Sequence, residues 1–100
     1  MIPKSDRFGI FHHIEERSLA ITEQIIEASL KTKIEKRAPL DHARINIEVL
    51  KRLIRITNEL KIIDDKTYIK LEKTVQEISR MVNGWRKYCA PTSNNTEAQV

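Results

Sequence analysis

One cysteine, two glycines, three prolines and five aromatic residues in a chain of one hundred leave few ways to fold. The lone Cys89 excludes an intramolecular disulfide and fits a reducing compartment. Scarce glycine and proline disfavour a turn-rich sheet architecture and favour long helices. Scarce aromatics mean that the core is aliphatic, built from Ile, Leu and Val. No run approaches the ~20 apolar residues of a membrane span. The opening Met1-Ile2-Pro3-Lys4-Ser5-Asp6-Arg7 lacks the apolar stretch of a signal peptide, so a cytoplasmic location is expected and the Asn94-Asn95-Thr96 triplet carries no meaning as a glycosylation site.

Catalytic signatures are missing too. There is no Gly-rich phosphate loop, no nucleophile elbow, no paired carboxylates and no cofactor motif, so the chain reads as a non-enzyme that needs no cofactor. His12 and Glu16 stand at the i,i+4 spacing that can hold a metal on a helix, but they lack a third ligand, and His42 belongs to another segment. Two exposed histidines beside an acid is the stronger reading, with no metal. Arg86 and Lys87 flank Cys89 and would favour a reactive thiol. Because Cys89 also continues an apolar seam, a packed thiol is the better assignment.

What is present is helical periodicity. A first helix is expected over residues 6–30, with Ser5 or Asp6 as N-cap. Its seam is Phe11, Ile14, Ser18, Ile21, Ile25 and Ala28. A second stripe, Phe8, Leu19, Ile26 and Leu30, lies beside it, wide enough for two neighbours. Residues 31–37 form a basic connector, and Pro39 marks the first turn of a second helix reaching Lys61. That helix carries Ala43, Ile47, Leu50, Ile54 and Thr57 in one seam and Val49, Leu53, Ile56, Leu60 and Ile63 in another. Asp64-Asp65 caps a third helix, whose seam is Tyr68, Leu71, Val75, Ile78, Val82, Trp85 and Cys89. Gly84 inside it costs roughly 1 kcal/mol against Ala, which points to close approach of a neighbouring backbone. The expected architecture is all-α: an up-down bundle of three long helices over residues 1–90, followed by a disordered tail, 91–100. Three double-seamed helices leave apolar surface uncovered, so the bundle is expected to assemble as a homo-oligomer, with Phe11, Ile54, Gly84 and Trp85 among the packing and contact residues.

The net charge of +4 is uneven: residues 1–30 carry −2, residues 31–61 carry +5 and residues 62–100 carry +1. Lys31, Lys33, Lys36 and Arg37 fill the connector; Arg44, Lys51, Arg52 and Arg55 share one side of the second helix; and Lys66, Lys70, Lys73, Arg80 and Lys87 track one face of the third. Together they form a candidate phosphate-binding surface for RNA or DNA. The competing reading is a solvated face partly paired with Glu48, Glu59 and Glu72. No aromatic platform accompanies the charge in the sequence, so recognition through backbone phosphates with little sequence preference is expected.

Two segments carry a resemblance. Pro3-Lys4-Ser5-Asp6-Arg7-Phe8 resembles the start of the second helix in small bacterial four-helix-bundle proteins, and Glu77-Ile78-Ser79-Arg80-Met81-Val82-Asn83-Gly84-Trp85 resembles their last. The Arg-x-x-x-Gly-Trp ending, Arg80 to Trp85, is similar to that of the accessory variability determinant proteins of diversity-generating retroelements. The related proteins encoded in intervening sequences of 23S ribosomal RNA genes share the portion before the tryptophan, typically lack the tryptophan itself, and carry a Pro-x-Asn-Ile-Ala-Glu-Gly-like segment where Ile25-Ile26-Glu27-Ala28 stands here. The retroelement branch is therefore favoured, over residues 3–88. The resemblance implies a homopentameric ring that catalyses nothing, binds nucleic acid, associates with the element's reverse transcriptase and supports mutagenic copying of a template RNA into cDNA. It also implies a further helix before the Pro3 segment, so that this chain is either a three-helix variant or a truncated member. The alternatives are a purely structural oligomerisation module and a ribosomal intervening-sequence protein.

Overall fold

A computed structural model describes residues 4–90, with side chains described from residue 9 onward. Three helices follow one another: α1 Lys4–Ser29, α2 Arg37–Glu59 and α3 Asp65–Cys89. The up-down-up order expected from the short loops is present, and the tail expected at 91–100 lies outside the described residues. Helix α1 already runs through Ser5 and Asp6, so neither is its N-cap. Pro39 sits in the first turn of α2, where a missing N–H leaves no helical bond unmade.

The helices form a layer rather than a closed bundle. Helix α2 packs against both α1 and α3, while the backbones of α1 and α3 never come together. The molecule measures 53 × 22 × 15 Å, and its 16.5 Å radius of gyration exceeds the roughly 13 Å of a compact hundred-residue domain. The whole seam Ala43, Ile47, Leu50, Ile54 and Thr57 is buried, joined by Leu40. It meets Ile21 and Ala28 of α1 and Val75, Val82 and Cys89 of α3, with Ile14, Ile25, Ile63, Tyr68, Ile78 and Trp85 packed at the margin. The second stripe of α1 does not find a second neighbour: Leu19, Ile26 and Leu30 are exposed, because α1 leans on α2 alone.

Between α1 and α3 an apolar groove stays open. Ile21, Thr22, Ile25, Ile78, Met81, Val82 and Trp85 line a volume of about 510 Å³. Phe11, at the edge of α1's seam, is 40% exposed. Ile54, by contrast, is buried and packs in the chain's own core.

Turns are closed by specific bonds. Lys61 adopts a left-handed φ of 60° just after α2. The N–H of Ile62 then reaches the Thr57 carbonyl at 2.8 Å and that of Lys61 reaches Asn58 at 2.9 Å, a Schellman closure. At the start of α3 the Asp64 carboxylate accepts the Thr67 N–H at 2.7 Å, the expected cap. The Thr67 side chain foremost, and then this N–H, hold the Asp64 carboxyl below the ordinary carboxylate range. Its stabilisation is thus complete above the ordinary carboxylate range and fades as pH falls through the depressed value.

Gly84 corrects a sequence expectation. A Cβ placed there meets nothing within 4 Å, because the residue faces outward from α3 instead of accommodating a backbone. Gly84→Ala is accordingly expected to raise stability by about 0.5–1 kcal/mol. Lys61→Gly, which relieves a side chain from the left-handed region, is expected to add about 0.5–1 kcal/mol. Urea denaturation followed by circular dichroism measures both, and a drop in midpoint for either variant contradicts the geometry described.

Candidate nucleic-acid interface

The thirteen basic residues singled out in the sequence fall into three places. On the outer face of α3, Lys66, Lys70, Lys73, Arg80 and Lys87 are all exposed, with Glu77 and Gly84 between them. None of these five lies in an ion pair with a described carboxylate.

The second group is on α2, where Lys51, Arg52 and Arg55 border a groove with Glu48 and residues of α3, and Arg44 is exposed one turn before Glu48. Lys51 Nζ is 3.2 Å from one Glu48 carboxylate oxygen, and Arg52 Nη1 is 3.3 Å from the other and 3.0 Å from the Glu48 carbonyl. The Lys51 ammonium foremost, with Arg52 assisting, holds the Glu48 carboxyl below the ordinary carboxylate range against a smaller opposing effect of burial. A groove of about 320 Å³ opens here, with Arg55, Tyr68 and Glu72 among its walls. Tyr68 donates its hydroxyl to Glu72 at 2.8 Å. Two of the four cations are therefore already shared with an acid, and Arg44 and Arg55 remain outside the ion pairs.

The third group occupies one pole of the layer. Antiparallel packing brings the end of α1, the start of α2 and the end of α3 together there, carrying Lys31, Lys33, Lys36 and Arg37 to Arg86 and Lys87. Lys36 is engaged within the fold. Its ammonium donates to the Ala28 carbonyl at 2.8 Å and to the Lys31 carbonyl at 2.5 Å, closing the open C-terminal end of α1. Lys31 pairs with Glu27 at 3.0 Å. Arg86 donates to Asp41 at 2.8 Å and ties α3 to the start of α2. Lys33, Arg37 and Lys87 form no ion pair with a described carboxylate, and the last two border a shallow pocket with Asp41 and Arg86.

This pole overturns the expectation that no aromatic platform accompanies the charge. Lys33 Nζ stands 4.6 Å from the centre of the Tyr88 ring, and Lys36 Nζ stands 5.6 Å from that of Trp85. The two rings lie one turn apart on α3, but the lysines come from a connector some fifty residues away, so only the fold brings them together.

Other sequence candidates resolve simply. His12 and His13 are exposed beside Glu16 at 3.5 and 3.4 Å, and no metal-holding cluster occurs among the described residues. Cys89 is buried in the core. No described helix is long and apolar enough to cross a membrane. One feature escaped the sequence reading altogether: Arg17 donates to the buried Asn46 at 2.7 Å, and Asn46 donates to Gln24 at 3.0 Å, a polar strut across the α1–α2 interface. Asn46 carried a signal for it, as a polar residue interrupting the buried face of α2.

A family model described as bAvd-like matches residues 1–89. No curated protein and no solved structure matches the chain.

Removing the acid from the α2 flank tests how far it masks the cations. Glu48→Gln is expected to strengthen binding of a short RNA several-fold at low salt and to steepen its salt dependence, since Lys51 and Arg52 become available to phosphates. Stability at neutral pH should fall slightly in the same variant, and that difference from wild type should close as pH falls through the lowered Glu48 value and the carboxyl protonates in both states.

Proposed function

Since the chain belongs to the bAvd-like family, we propose that it is a non-catalytic accessory protein that binds nucleic acid and associates with a retroelement reverse transcriptase. In this role it supports template-RNA-dependent mutagenic cDNA synthesis, in the cytoplasm, as a homo-oligomer with a pentameric ring as the expected form. The chemistry resides in the polymerase, and this chain contributes binding surface. The observation that carries the nucleic-acid reading is the set of exposed cations outside ion pairs with described carboxylates, Lys33, Arg37 and Lys87 at the pole, Arg44 and Arg55 on α2, and Lys66, Lys70, Lys73 and Arg80 along α3. Repetition of that set around a ring would multiply the phosphates engaged at once.

The open groove between α1 and α3 supports self-association. About 510 Å³ of space walled by Ile21, Ile25, Ile78, Met81 and Trp85 is apolar surface of the kind that associating proteins cover. Taken alone, the groove also suits a structural oligomerisation module whose charges serve only solubility. The two readings separate on nucleic acid: the second requires an assembly by light scattering with no RNA or DNA affinity even at low salt.

For the leading reading, the logarithm of affinity is expected to fall linearly with the logarithm of salt concentration, with a slope of about −3 to −4 if roughly four to five phosphates are engaged. Binding indifferent to salt contradicts it. The double change Arg52→Glu, Arg55→Glu is expected to abolish RNA and DNA binding while light scattering shows the assembly unchanged, both side chains being exposed. Loss of the assembly instead assigns these residues to an interface. At the level of the genome, a reverse-transcriptase gene with near-identical template and variable repeats is expected close to the gene for this chain.

A further inference from the structure

Tyr88 is 65% exposed, a large aromatic ring left in solvent at the end of α3 although the core lies one turn away. It is not bare: Lys33 reaches over it from the first connector. Trp85, half-buried on the preceding turn, has Lys36 above its ring in the same manner. Lys33 is the cation at the Tyr88 ring, and Arg37, Arg86 and Lys87 border a separate shallow pocket of the same pole. Lys36 is held by two carbonyls of α1 and Arg86 by Asp41, so both are fixed parts of the fold. Lys33, Arg37 and Lys87 have no such partner among the described residues.

We propose that this pole is a single-strand site, in which an unpaired base stacks on Tyr88, Lys33 holds the adjacent phosphate, and Arg37 and Lys87 in the neighbouring pocket hold phosphates further along the strand. This rests on the nucleic-acid reading above and adds to it a strand preference. The reason for a single strand is geometric. Inside a duplex both faces of each base are covered by its neighbours, so along the strand a tyrosine finds a free π-face only on an unstacked base. The pole suits a few nucleotides, because the layer is only 22 × 15 Å across. Stacking is tolerant of base identity, so the site discriminates strandedness without reading sequence. A phosphate next to the stacked base falls within reach of the ammonium that now stands over the ring.

The test uses the full chain and three fluorescent probes followed by anisotropy: a twelve-nucleotide oligouridine RNA, its deoxy counterpart and a blunt twelve-base-pair duplex. Tyr88→Ala is expected to bind both single strands about tenfold more weakly, to bind the duplex as wild type does, and to keep the wild-type salt slope, because no phosphate contact is removed. Tyr88→Phe keeps the ring and is expected to stay within about twofold of wild type on every probe. Arg37→Gln, Lys87→Gln should instead reduce the salt slope by about one to two. Single-strand binding by Tyr88→Ala equal to wild type overturns the proposal. Equal losses on the duplex, or an equal loss in Tyr88→Phe, do the same, since they mean that the residue acts through the fold. If wild type binds none of the probes at low salt, the nucleic-acid reading itself falls. Salt-dependent wild-type binding with an indifferent Tyr88→Ala removes the stacking site alone.

Discussion

The buried row of Leu40, Ala43, Ile47, Leu50, Ile54 and Thr57 on α2 is the surface from which both other helices hang. With the backbones of α1 and α3 apart, no close helix–helix packing between them makes good a defect in that row. Each large side chain in it contributes about 1.5–3 kcal/mol of apolar burial, and a truncation there loosens two interfaces at once. Ala43 is as important for what it lacks, since a small residue at full burial lets neighbouring helices come close. Thr57 ends the row with a second duty. Its hydroxyl returns to the Ile54 carbonyl at 2.6 Å, while its own carbonyl receives Ile62 and Ile63 and turns the chain toward α3.

Charge is divided between holding the fold and facing outward. Arg17, Lys36, Lys51 and Arg86 are engaged by defined partners, each across a boundary between elements or at a helix end. The remaining cations sit where water, or a polyanion, reaches them. This division follows from side-chain length and position: a cation near a helix end or a groove finds carbonyls and carboxylates within its reach, whereas those on the outer face of α3 form no ion pair with a described carboxylate. Residue type alone therefore does not separate a structural lysine from a binding one.

The helices and the central seam were legible because periodicity records burial. The five seam residues of α2 are all buried, and Val75, Val82 and Cys89 of the α3 seam follow them. Capping was legible at Asp64, whose carboxylate needs only its own next turn. Features that depend on distant segments were not. The stripe of Leu19, Ile26 and Leu30 has the pattern of a contact face, but pattern does not say whether a neighbour exists. Gly84 has the composition of a close approach and the surroundings of open solvent. The meeting of Lys33 with Tyr88 and the strut from Arg17 through Asn46 to Gln24 join residues of different elements, so local spacing holds no trace of them. Membership of the bAvd-like family was legible in the short closing motif of α3, which the match over residues 1–89 bears out.

The layered arrangement bears on how the molecule assembles and opens. The backbone of each helix packs only on its neighbour in the chain, so most of the fold forms by closing two short loops. Such local connectivity places a domain among the fast folders, in the microsecond-to-millisecond range. The same arrangement allows either outer helix to swing away while the other hairpin stays intact, so opening comes in halves. Amide protons of α2, shielded by both hairpins, exchange last.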